Sequence, residues 1–136
     1  MPTLRDYHIL ISHSWSYSGQ YDTLCRWLDG ATYFKWSDYS VCCDNPLDTK
    51  TDVELKEKLR NRISLSSCII AVSGMYANYS KWIDFEIDTA LSMSKPIIGV
   101  KPWGQERIPV KIQNASAEMV GWNSSSVVDA VRRNAI

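Results

Sequence analysis

The chain has no long apolar run, no excess of charge of either sign and only two histidines. No hydrophobic stretch approaches the roughly 20 residues that a membrane-spanning helix needs, and Met1 to Leu10 lacks a basic segment followed by a signal-length apolar core. The expectation is therefore a protein that stays in the cytoplasm, off the membrane. Fifteen basic and fifteen acidic side chains cancel, and no run of lysine or arginine stands out. The electrostatic footprint of a nucleic-acid binder is missing. Also absent are Gly-x-Gly-x-x-Gly and a Walker-type loop; Gly19 alone cannot cradle a phosphate. Cys25, Cys42, Cys43 and Cys68 have neither Cys-x-x-Cys spacing nor a companion histidine cluster. We expect reduced, mostly structural thiols and no metal. Asn78-Tyr79-Ser80, Asn114-Ala115-Ser116 and Asn123-Ser124-Ser125 fit the glycosylation pattern, but without a secretory signal they read as cap or loop chemistry.

What is present suits one packed domain over residues 1–136, since 45% hydrophobic content is ordinary for a chain of this length with a real core. Tyr7 to Ile11 is a short apolar run ending at the polar cluster Ser12-His13-Ser14, as a buried parallel strand does where it emerges. Ser18 can cap a helix from about Gln20 to Leu28, with Gly30 as its stop. Tyr33 to Trp36 reads as a second strand, and Ser37 to Lys50 as a long loop. Thr51-Asp52-Val53-Glu54 has capping-box spacing, and Val53, Leu55, Leu59 and Ile63 supply the face of a helix through about Ser64. Cys68 to Val72 and Pro96 to Val100 are compact apolar runs with a helix between them, a strand-helix-strand crossover. Lys101 to Ala117 looks irregular, Glu118 to Trp122 suggests a short strand, and Ser126 to Arg133 a closing helix. The alternation implies an α/β three-layer sandwich, a five-stranded parallel sheet in flavodoxin-like winding, with ligands bound at the strand carboxyl ends.

The helix between the two apolar runs carries the most informative residue. At about 100° per residue, Ile83, Ile87, Ala90 and Leu91 share one face, with Glu86 at its edge one turn beyond Trp82. Asp84 and Asp88 point to water. A glutamate flanked by an indole and a buried face loses hydration, which favours it for chemistry over its acidic neighbours. From position alone, a solvated boundary glutamate is the simpler reading.

Lys81-Trp82-Ile83-Asp84-Phe85-Glu86-Ile87, with its tryptophan, three residues, then glutamate, resembles the motif of NAD-cleaving Toll/interleukin-1 receptor (TIR) domains. Ile11-Ser12-His13 is similar to the first-strand motif of the same family. From Tyr7 to about Arg133 the chain looks like the TIR-like group of bacterial defence systems such as Thoeris. The resemblance implies that Glu86 is the catalytic carboxylate, that Trp82 walls the nicotinamide-ribose pocket, and that Ser12, His13 and Ser14 belong to the substrate rim. Trp36, Asp38 and Asp44 are further candidates to line the site. The 37–50 loop departs from the receptor-type domains, lacking their arginine-aspartate and proline-glycine sequence, so its assembly role does not carry over.

The activity so implied is NAD+ glycohydrolysis or cyclisation, giving nicotinamide and ADP-ribose or a cyclic form as a signal in antiphage defence. NAD+ is then the substrate and no cofactor is needed; the expected partners are further copies of the chain on activation and a separate effector that receives the signal. One carboxylate suffices in principle. The transition state is oxocarbenium-like, and nicotinamide leaves a cationic pyridinium as a neutral molecule, so no proton donor is required. His13 competes for an acid or base role, but a rim histidine that only hydrogen-bonds is the favoured reading. Two other readings stand beside the enzyme: a non-catalytic TIR assembly module, in which Glu86 is dispensable, and a nucleoside deoxyribosyltransferase-like enzyme, in which it is a covalent nucleophile.

Overall fold

Strands rich in Ile, Val and Cys alternate with helices that show one apolar stripe each, and such elements bury both sheet faces only by stacking helices on either side. The computed structural model describes residues 5–12, 19–39, 52–72, 76–101 and 110–136. In chain order these form β1 (Asp6–Ile11), α1 (Gly19–Gly30), β2 (Lys35–Asp38), α2 (Asp52–Leu65), β3 (Cys68–Val72), α3 (Tyr76–Ser92), β4 (Ile97–Lys101), α4 (Val110–Ala115), β5 (Glu118–Gly121) and α5 (Ser124–Asn134). The five strands make one sheet in the order β2-β1-β3-β4-β5, every pair parallel. This is the flavodoxin-like arrangement read from the sequence.

Period-two alternation along β3 divides the core in two. Cys68, Ile70 and Val72 face Leu24 and Leu28 of α1 and Val127 and Val131 of α5. Ile69 and Ala71 face Ile63 of α2, Ile83, Ile87 and Ala90 of α3, and Ile112 of α4. On α2, Leu59 and Ile63 are buried as expected while Val53 is exposed. Val53 stands six residues before Leu59, about 120° around the helix from it.

Three further expectations are corrected. β2 begins at Lys35 rather than Tyr33, because Tyr33 has a left-handed backbone (φ 54°) that a strand cannot continue. Ser37 and Asp38 consequently belong to the strand and pair with His8 and Ile9, so the loop starts later. The stretch read as irregular contains α4, six residues too short to show a period. Asn123, read as cap chemistry, does cap α5: its side chain accepts from the Ser126 amide.

Candidate functional site

Parallel strands bring their carboxyl ends to one rim, and the residue just past β1 there is Ser12. Its amide donates to the Ile70 carbonyl at 2.8 Å, adding a rung to the β1–β3 ladder. Its side chain is fully buried. Across from it, α3 presents Ile83, Glu86, Ile87 and Ala90, spaced at three and four residues, toward the sheet. Glu86 is 1% exposed, and the Ser12 hydroxyl donates to its Oε1 at 3.4 Å.

The edge position expected for Glu86 is thus corrected: the carboxylate is inside the buried stripe, and Leu91, expected there, is half-exposed. The stripe is rotated toward Glu86 and Thr89, and Leu91 lies about 100° beyond Ala90 on the far side. Asp88 is exposed as expected and pairs with Lys111 of α4 at 2.5 Å. A buried ionised carboxylate costs several kcal/mol unless partners compensate it, so an acidic residue at this position is a local exception to the packing rule. Such an exception makes the residue a candidate for a functional site.

Of the residues named from sequence, the structure brings Ser12 and Glu86 together. Ser12, expected on the substrate rim, is fully buried. Trp36 is not at this site. It pairs with Tyr7, low on β1, packs against the core on the α1/α5 face, and donates its indole N–H to Asp29 at 2.7 Å. Asp38 is exposed beside Ile9 on β2. Trp82 lies in α3 one turn before Glu86, its side chain outside the described set; His13, Ser14 and Asp44 fall outside the described residues. Sequence reasoning missed two cations: Lys56 and Arg60 of α2 lie over the ring of Phe85, the neighbour of Glu86, at 5.6 and 5.2 Å. A hollow of about 400 Å³ between α1 and α5, lined by Arg26, Trp27, Ser125 and Arg132, is on the opposite face of the sheet from Glu86. Among the described residues, no three His, Cys, Asp or Glu are placed to hold a metal ion, and no helix is long and apolar enough to cross a membrane.

The family model of the Thoeris protein ThsB, TIR-like domain, matches residues 10–107, a span that contains both Ser12 and Glu86. The chain belongs to this family. The ThsB TIR-like domain places it in Thoeris antiphage defence. No curated protein matches it. Among solved structures it is similar to the Clostridium botulinum CMP N-glycosidase BcmB, at a TM-score of 0.59 and 13% identity over 93% of this chain and 98% of that one. It is also similar to a 3-dehydroquinate dehydratase-like protein from Bifidobacterium longum, with a TM-score of 0.51, 10% identity, and coverage of 95% and 94%. A prokaryotic SEFIR domain aligns at 0.49 and 12% identity over 93% of this chain and 94% of that one. At such identities the likeness is one of fold.

Proposed function

We propose that the protein cleaves the nicotinamide-ribose bond of NAD+, with Glu86 as the catalytic carboxylate, to make an ADP-ribose-type signal in antiphage defence. The observation that carries this reading is the burial of an acidic side chain at the carboxyl end of a parallel sheet, where open α/β folds bind ligands, within the span matched by the ThsB family. In the reaction, the C1'–nitrogen bond breaks and its electron pair stays on nicotinamide, which departs neutral. Positive charge develops on the ribose, and the Glu86 carboxylate stabilises it most strongly at the transition state. Water then adds to C1' and loses a proton to solvent, giving ADP-ribose; attack by the adenine of the same molecule gives a cyclic product instead. Trp82 is the proposed wall of the pocket, and His13, Ser14 and Asp44 its proposed rim. A separate effector receives the product, and self-association accompanies activation.

The test is nicotinamide release from NAD+ by concentrated purified protein, comparing wild type with Glu86→Gln. We expect a loss of two orders of magnitude or more, the counterpart of about 3 kcal/mol of transition-state stabilisation. Equal turnover in the two proteins discards the assignment. The fold shared with a CMP N-glycosidase supports a second reading, cleavage of a nucleoside monophosphate with Glu86 at the sugar. Release of cytosine from CMP, with NAD+ left intact, would select it.

A further inference from the structure

We infer that Ser12 is a positioning residue, which holds the Glu86 carboxylate in its working orientation rather than touching substrate; this rests on the reading of Glu86 given above. Ser12 is fully buried and its one side-chain oxygen is directed at the Glu86 carboxylate. Its backbone is fixed by the 2.8 Å bond to Ile70 of the central strand, and its hydroxyl meets Glu86 Oε1 at 3.4 Å. The donor therefore stands one residue past β1, tied to the central strand β3, and the acceptor on a helix that packs against the same sheet through Ile83, Ile87 and Ala90. Both ends of the contact are carried by packed elements, which is what holding a reactive group to a fraction of an ångström requires.

The chemistry of the partner matters as much as its place. A lysine or arginine donor would orient the carboxylate but also cancel the negative charge that a cationic sugar needs. A serine hydroxyl orients it and leaves that charge in place. In an otherwise apolar layer a small aliphatic residue would pack as well as serine, and a buried hydroxyl costs stability unless it is bonded. The contact with Glu86 gives this buried hydroxyl its acceptor.

The experiment is steady-state kinetics of nicotinamide release from NAD+ by wild type, Ser12→Ala, Glu86→Gln and the double variant, with thermal melting to establish that each is folded. Ser12→Ala should lower kcat about 10- to 100-fold while KM stays within about twofold, since only the orientation of the reacting group changes. On the Glu86→Gln background the same substitution should change nothing further, because the group it positions is already lost. A wild-type kcat in Ser12→Ala, a rise in KM alone, or an equal fall on both backgrounds overturns the inference while leaving Glu86 in its role. Wild-type protein that releases no nicotinamide overturns the functional reading, and this inference falls with it.

Discussion

Glu86 and Cys68 are both buried, and they show what burial does to two different polar groups. Glu86 keeps a hydroxyl donor, Ser12, against its carboxylate. Cys68, in an apolar layer, is pushed up to about 12 from the ordinary 9.0 by desolvation, against a smaller opposing effect of Arg5. Its thiol stays protonated and inert. A folded-state value above the unfolded one means that the contribution of Cys68 to stability is complete below pH 9 and is lost as pH rises from 9 towards 12. Urea unfolding across that window should therefore show a steeper alkaline decline for wild type than for Cys68→Ala. Parallel declines would contradict the assignment. The glutamate was singled out in the sequence by its resemblance to the TIR motif and its place at the edge of the apolar stripe; its pairing with Ser12 was not legible, because the two are 74 positions apart and only the fold joins them.

Among the elements, strands β3 and β4 were readable nearly to the residue because each is a continuous apolar run, buried on both faces. The edge strand β2 was not, since Lys35 and Asp38 are exposed and its pattern is mixed. Gly99 of β4 has a meaning that only packing reveals. A Cβ there would stand 2.1 Å from Met119 Sδ and 2.7 Å from Ser116 Oγ, and that hydroxyl is tied to the Ile112 carbonyl at 2.6 Å. Met119 can swing aside; Ser116 must break its bond or shift the end of α4. Gly99→Ala should cost about 1–3 kcal/mol in urea unfolding, and a change below about 0.5 kcal/mol, the usual range of a neutral substitution, would show that the layer has slack.

For the whole molecule, the two core layers share one sheet, and neighbouring positions of β3 serve opposite sides: Ile69 belongs to the layer under α2, α3 and α4, Ile70 to the one under α1 and α5. If the chain folds as one domain, damage to either layer weakens both. Ile69→Ala and Ile70→Ala should each cost about 2–5 kcal/mol, and each should unfold in a single transition that coincides by circular dichroism and tryptophan fluorescence. Two separated transitions would argue for independent units. The alternation of strand and helix and the parallel sheet follow from periodicity and composition alone, because hydrophobic spacing is a local property of the chain. Which side of the sheet each candidate occupies was decided by the tertiary structure. Trp36 and Glu86 are separated by the sheet, and Ser12 is turned inward to meet a helix far along the chain, because strand order and register are set by contacts that no local pattern records.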